Sequence, residues 1–316
     1  MEHERNRTVF MASVVNRRRF STVSALNAFG LIVLAALLPL SLVSCNKKET
    51  RNEVDFEFVS GVLIIKGTVN NKIEGMFQLD TGADISVITK KYFDKLDMSA
   101  KDKITATIAG GRVMEVSTAE INSIALGDNS TSLSSVAVID MSKQKVPDNT
   151  AGILGSDYLR NFIITISYRD KKLIFEDENS LSSLLKSGIK IPIKFSDSNS
   201  NVPYLNVTIN DTVSNSYLFD TGVPLTHLTY TDFQAIGLSK DMKTVKKTTN
   251  HILGSTFEEY VTNISSFALH DSLKIENIET AASYEGCPGL IGNNFISNYI
   301  VTLNYKEKYI LFNKYE

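Results

Sequence analysis

The chain has 316 residues, 43% hydrophobic and 22% charged, an ordinary globular balance with enough apolar side chains for two cores. Its formal net charge of −2 gives no electrostatic reason to expect a nucleic-acid partner. The only cysteines are Cys45 and Cys287, too few for a disulfide framework.

In chain order, residues 1–45 read as a targeting segment, set aside from the fold. Arg17-Arg18-Arg19 supplies a positive start, and the apolar run from Gly30 to Leu42 is too short for a comfortable bilayer span. The segment closes on Leu42-Val43-Ser44-Cys45, which resembles a bacterial lipobox with Cys45 as the lipidated residue; an ordinary signal peptide or an anchor helix is the plainer alternative. Residues 46–53 are polar and read as a tether. With Cys45 lipidated, no intramolecular disulfide can form, and Cys287 is expected to pack as a small apolar residue.

From Val54 onward the chain reads as short Val-, Ile-, Thr- and Tyr-rich strands. Alternating strands over Phe56–Ile65 and a turn at Asn70-Asn71 lead into Met76-Phe77-Gln78-Leu79, then Asp80-Thr81-Gly82, then a second apolar run, Ile85-Ser86-Val87-Ile88. This is strand, tight turn, strand, with glycine allowing a backbone course that a Cβ would obstruct. Residues 90–97 read as a short helix, and residues 104–116 as a hairpin turning at Gly110-Gly111. That Gly-Gly is a poor phosphate loop, since no Lys-Ser/Thr or helix follows it. Residues 180–188 read as a connecting helix starting at a serine and ending before Gly188. A strand over 189–195 and another over 204–209 open the second half, which places a boundary near 185.

The second half repeats the first. Ser216-Tyr217-Leu218-Phe219 leads into Asp220-Thr221-Gly222, 140 residues after the first copy, and Leu225-Thr226-His227-Leu228 leaves it. One Asp-Thr-Gly arises by chance in roughly one chain in twenty of this length; two in matched strand contexts do not. Each turn also has a distant apolar-apolar-Gly companion, Ile153-Leu154-Gly155 and Leu290-Ile291-Gly292. The residues after those glycines align at an offset of 137, matching Asn161 with Asn298, Thr165 with Thr302 and Tyr168 with Tyr305. Gly254 answers Gly111 at an offset of 143, in a hairpin around Leu253-Gly254-Ser255 that follows a helix over 230–236. Duplication of a whole domain follows from such spacing.

These residues resemble the aspartic peptidase clan, and the stretch Leu79–Ile88 with Gly152-Ile153-Leu154-Gly155 resembles a retropepsin monomer. The second copy departs from that pattern at Val223-Pro224. The resemblance, which covers about residues 57–316, implies a mostly β, two-lobed acid-protease fold: pseudo-twofold related β-barrel lobes, 54–184 and 185–316, with an active-site cleft between them. It implies Asp80 and Asp220 as catalytic acids and Thr81 and Thr221 bonding across the axis. Gly82 and Gly222, with the small Ala83, would admit backbone N–H groups to the carboxylates, and Gly155 and Gly292 would pack beneath the turns. The hairpin at Gly110 and Gly111 is the flap candidate, unless it is an ordinary surface hairpin. Asp84 either lines a subsite or is a solvated or backbone-bonded turn residue.

Two carboxylates about 3 Å apart cannot both ionise, so they share a proton and can activate water while protonating a departing nitrogen. No Gly-x-Ser-x-Gly elbow competes, and His3, His227, His251 and His270 lack metal-ligand spacing, so they are expected at the surface or in packing, with no metal or cofactor. The expectation is a membrane-anchored aspartic endopeptidase of the bacterial cell envelope, a monomer holding an intramolecular pseudo-dimer, acting on peptide or unfolded protein and held to the lipid bilayer through Cys45. The alternative is a catalytically impaired lipoprotein on the same fold that binds peptides or proteins.

Overall fold

Strict alternation in Val62–Val69 turns Leu63, Ile65, Gly67 and Val69 inward, and two residues of positive φ, Asn70 at 50° and Asn71 at 53°, reverse the chain into Ile73–Leu79. A hairpin of this type needs left-handed backbone at both turn positions, which asparagine tolerates. The computed structural model describes residues 12–13, 52–109, 111–144, 146–196, 200–283 and 286–316, which belong to one compact unit. Residues 1–51, on which the expected targeting segment, Cys45 and most of the expected tether fall, lie outside the described residues, apart from a two-residue strand Ala12–Ser13 paired with Thr107 and Ile108.

Each half closes a barrel. In the first, the strands Val62–Val69, Ile73–Leu79, Thr150–Leu154, Val87–Thr89, Asn129–Ile139 and Val113–Leu126 pair in that order, and the last returns to the first. In the second the ring is Tyr204–Ile209, Val213–Phe219, Leu290–Ile291, Thr226–Leu228, Leu273–Ala282 and Ser255–His270. Parallel and antiparallel pairings recur at equivalent places, so the fold is mostly β and two-lobed, as the duplication requires.

A six-stranded sheet joins the lobes, in the order Glu53–Val59, Lys172–Phe175, Ile163–Ser167, Tyr299–Asn304, Tyr309–Lys314 and Ile189–Pro192. Its two central strands pair antiparallel with Thr165 opposite Thr302, so a pseudo-twofold axis runs through that pair. The C-terminal strands therefore hydrogen-bond to the first half of the chain as well as to the second. One apolar core runs through both barrels and this sheet, including Phe77, Tyr158, Ile164, Phe219, Phe295 and Val301. Side chains of this size each contribute about 2 kcal/mol on burial.

The connecting helix, Glu178–Leu185, starts before the serine expected to open it. Asp177 is the cap: its carboxylate accepts from Ser180 N (2.8 Å), while Asp177 N donates to Ser180 Oγ (3.1 Å). Ser180 is thus the third helical residue of a capping box, with Asp177 the stronger anionic cap. The expected strand over 189–195 is regular only to Pro192, which pairs with Tyr309. Among the described residues no helix is long and apolar enough to cross a membrane.

Candidate active site

Both Asp-Thr-Gly turns are placed by the parallel strand beside them. Asp80 N donates to Leu154 O and Asp220 N to Ile291 O, each at 3.0 Å. Asp80 Oδ1 then accepts from Gly82 N (2.9 Å) and Ala83 N (3.0 Å), and Asp220 Oδ1 from Gly222 N (2.7 Å). Both aspartates are 0% exposed, and neither Oδ2 has a hydrogen-bond donor from the protein. A Cβ on Gly82 would fall 2.5 Å from Asp220 Oδ2, and one on Gly222 2.4 Å from Asp80 Cγ. Each carboxyl is seated on the other turn's glycine.

The two threonines lock the turns together. Thr81 N donates to Thr221 Oγ1 (3.1 Å) and Thr221 N to Thr81 Oγ1 (3.0 Å), while the hydroxyls donate across to Phe219 O (2.6 Å) and Leu79 O (3.0 Å). These four buried bonds, all crossing between lobes, fix the carboxylates relative to each other.

Burial raises the pKa of both aspartates, because an ion without water is costly. The negative charge of Asp220 pushes Asp80 up further, while hydrogen bonds from Gly82 and Ala83 oppose the rise. For Asp220 the opposing contributions come from Gly222 and from Asp80. The pair therefore keeps one proton where an exposed carboxyl would have lost it, a coupled titration.

Beneath the turns the repeat is exact in position and varied in chemistry. Cβ atoms on Gly155 and Gly292 would lie 2.6 Å from Ala83 O and 2.3 Å from Leu225 O, so only glycine fits. Ser156 Oγ donates to Thr81 O (2.8 Å), and Asn293 Nδ2 to Thr221 O (2.8 Å). Each support is held by a tyrosine of the other lobe: Tyr305 Oη lies 3.0 Å from Ser156 Oγ, and Tyr168 Oη donates to Asn293 Oδ1 at 2.7 Å. Burial raises both phenols, so they stay protonated. Asp157 accepts from Ser86 N (3.0 Å) and Ser86 Oγ (2.5 Å), where Asn294 accepts from Thr226 N (2.8 Å) and Thr226 Oγ1 (3.0 Å).

The departure at Val223-Pro224 costs the second turn one bond, since Ala83 N donates to Asp80 Oδ1 and Val223 N has no such bond to Asp220, but it keeps the support beneath. Val223 O accepts from Asn293 N (3.0 Å) as Ala83 O accepts from Ser156 N (2.7 Å). Pro224 packs against Gly61, whose φ of 83° and whose missing Cβ, which would stand 2.5 Å from Pro224 Cβ, suit it to that contact. At the equivalent place on the other side Asp84 Oδ1 accepts from Asn201 N (2.7 Å), so Asp84 is a backbone-bonded residue that ties the lobes.

The first hairpin joins Lys103–Ile108 to Val113–Leu126, with Gly111 at φ 73°; Gly110 lies outside the described residues. Its tip meets the tip of the second hairpin. Arg112 Nη1 donates to Leu253 O (2.6 Å), and Ala109 packs in one apolar cluster with Ile252, Leu253 and Val223. The second tip turns at Leu253 and Gly254, φ 47° and 81°, the position that Gly254 shares with Gly111 in the repeat.

Among the described residues no group of three or more His, Cys, Asp and Glu side chains is placed to hold a metal. His251 and His270 are exposed, and Cys287 is buried outside any disulfide. His227, by contrast, is only 2% exposed, with Nε2 3.0 Å from Glu259 Oε1. Sequence spacing could not show this pairing.

No curated protein matches the chain. Among solved structures, the crystal structure of basic 7S globulin from soybean matches with 10% identity and a TM-score of 0.49, over 83% of this chain and 95% of that one. Residues 65–161, which contain the Asp80 turn, its hairpin and the Gly155 support, match the family described as "gag-polyprotein putative aspartyl protease", and the first lobe is thus similar to an aspartyl protease domain.

Proposed function

We propose that the chain is an aspartic endopeptidase whose two acids come from one polypeptide. The observation that carries this is the reciprocal seating of two fully buried carboxyls, Asp80 on Gly222 and Asp220 on Gly82, inside the threonine lock. An extended peptide lies in the cleft beneath the hairpin tips. The ionised carboxylate takes a proton from water as its oxygen attacks the scissile carbonyl carbon, while the protonated acid donates to the carbonyl oxygen. The amine nitrogen of the resulting tetrahedral species is then protonated, the C–N bond breaks, and the acid pair returns to one shared proton. The second turn keeps the bond from Gly222 N, the threonine lock and the Asn293 support despite Val223-Pro224, and this favours two working acids over an impaired binder.

The decisive experiment is hydrolysis of a reduced, alkylated protein by the native chain, Asp80→Asn and Asp220→Asn. Turnover should fall by at least about 10³-fold in each variant, with circular dichroism unchanged. Turnover surviving in either folded variant would remove that acid from the mechanism.

We further propose, on the sequence features of residues 17–45, that Cys45 is lipidated and tethers the catalytic unit to a bacterial envelope membrane. Cys45→Ser should move the protein from the detergent phase to the aqueous phase without changing its specific activity.

A further inference from the structure

Thr81 O and Gly82 N belong to one peptide group, as do Thr221 O and Gly222 N. Both groups are trans, so in each the carbonyl and the N–H point opposite ways. The N–H ends hold the acids: Gly82 N donates to Asp80 Oδ1 at 2.9 Å and Gly222 N to Asp220 Oδ1 at 2.7 Å. The carbonyl ends accept from Ser156 Oγ and Asn293 Nδ2, both at 2.8 Å. Each support residue therefore bears on an acid through the peptide group between them.

Proton counts fix the direction of the bonds behind the supports. Ser156 has one hydroxyl proton and Thr81 O takes it, so in the 3.0 Å contact with Tyr305 Oη the phenol is the donor. Asn293 gives its two amide protons to Thr221 O and to Gly61 O (2.7 Å), and its Oδ1 accepts from Tyr168 Oη at 2.7 Å. Two hydrogen-bond series result. One runs from Tyr305 through Ser156 and the Thr81–Gly82 peptide to Asp80, the other from Tyr168 through Asn293 and the Thr221–Gly222 peptide to Asp220. Tyr168 and Tyr305 are matched positions of the repeat, and so are Ser156 and Asn293. The middle residue is a hydroxyl in one series and an amide in the other, yet every bond in both donates toward the carboxyl.

Bonds that share a group polarise one another, and the effect is strongest away from water. All four side chains behind the peptide groups are buried. A bond accepted by Thr81 O or Thr221 O makes the N–H of the same peptide a stronger donor, and a stronger donor favours the ionised form of the acid it holds. The other titratable groups within electrostatic reach are His227 for Asp220, Asp84 and Asp157 for Tyr305, and Tyr315 for Tyr168. Asp80 Oδ1 also accepts from Ala83 N, outside its series, so the series ending at Asp220 bears the larger share of its acid's support.

We infer that Tyr305 and Tyr168 are positioning residues for the acid of the opposite lobe, each phenol strengthening, through one support residue and one peptide group, the backbone N–H that holds the carboxylate. The inference rests on reading Asp80 and Asp220 as the catalytic pair. Each acid is thereby set by both halves of the chain.

The test reads the acids directly. Tyr305→Phe and Tyr168→Phe each remove one hydroxyl and keep the ring packing, stacked on Phe195 for Tyr305 and edge-on to Phe56 and Phe58 for Tyr168. The full chain, with aspartate isotope-labelled at the side-chain carboxyl carbon, is titrated by NMR, and the pair is assigned by its loss in Asp80→Asn and Asp220→Asn. Weaker donors favour the protonated form, so the midpoints of the coupled pair should rise, by about 0.3 pH unit in Tyr305→Phe and by more in Tyr168→Phe. Both limbs of kcat/KM against pH should move with them. Ser156→Ala cuts the first series in its middle; it should raise the midpoints by itself and leave Tyr305→Phe without further effect in the double variant. A purely structural role would lower stability in urea and leave the midpoints where they are. The two series are built separately, so either tyrosine variant carries the test if the other does not fold. Unmoved midpoints in each folded tyrosine variant, or a full shift from Tyr305→Phe in the presence of Ser156→Ala, overturns the inference. Midpoints that shift as expected in a chain that cleaves no unstructured protein would overturn the peptidase reading and leave the two series standing, while cleavage with unmoved midpoints would do the reverse.

Discussion

Thr165 Oγ1 and Thr302 Oγ1 meet at 2.7 Å in the centre of the shared sheet, 137 residues apart in sequence. A residue facing its own repeat marks the pseudo-twofold axis, and here both hydroxyls are buried. The dimer axis is thus built into one chain.

From this follows a prediction about dilution. Covalent linkage replaces bulk concentration by an effective concentration of about millimolar or more, so specific activity should stay flat through the nanomolar range. Separate halves cut near 185 would each expose a central strand, Ile163–Ser167 or Tyr299–Asn304. They should be inactive and poorly soluble alone. Activity that falls on dilution with carrier protein present would place the acid pair between chains.

Thr81→Ala should strip Thr221 N and Phe219 O of their buried partners, and Thr221→Ala should do the same to Thr81 N and Leu79 O. Each unsatisfied group costs about 1–3 kcal/mol. The double variant should lose less than the sum of the singles, because all four bonds belong to one network. Thr→Ser keeps the oxygen and should stay near the native stability in urea titrations. Additive losses would show that the two threonines do not act as a unit.

The raised pKa values of Asp80 and Asp220 set the pH dependence of turnover. The productive state holds one proton between the acids, so kcat/KM should be bell-shaped, its alkaline limb lying above the ordinary carboxyl value of about 4. The same shifts act on stability. A folded state that binds protons more tightly than the unfolded one is favoured at low pH, and that contribution is lost as pH rises through the folded values. A profile that stays flat well into alkaline pH would exclude the shared proton.

Burial pushes the Asp157 carboxyl up to about 6, although Ser86 donates to it. Its folded pKa is raised, so stability should fall as pH climbs from the unfolded value through about 6. Asp157→Asn copies Asn294 of lobe 2 and has no proton to lose. The side chain keeps some solvent access, which reduces the gain, so the variant should be more stable by on the order of 1 kcal/mol at neutral pH. Below about pH 4 the advantage should vanish. Thermal melts at both pH values measure this, and an unchanged pH slope would refute it.

Local chemistry made much of this protein legible in one dimension. Apolar alternation, the Asn70-Asn71 and Leu253-Gly254 turns, and glycines tolerated only beside another backbone are dictated within a few residues. The repeat spacings by themselves imply two lobes and pair Asp80 with Asp220. What the tertiary structure alone decided are the exchanges between distant segments: Tyr168 supporting the opposite lobe's Asn293, the C-terminal strands completing a sheet begun by the first half, and Arg112 meeting Leu253. It also turned His227 and Glu259, 32 residues apart, into a buried pair. Such contacts depend on strand order and register. These are fixed when the whole chain minimises its exposed apolar surface and unpaired backbone groups, and no local pattern encodes them.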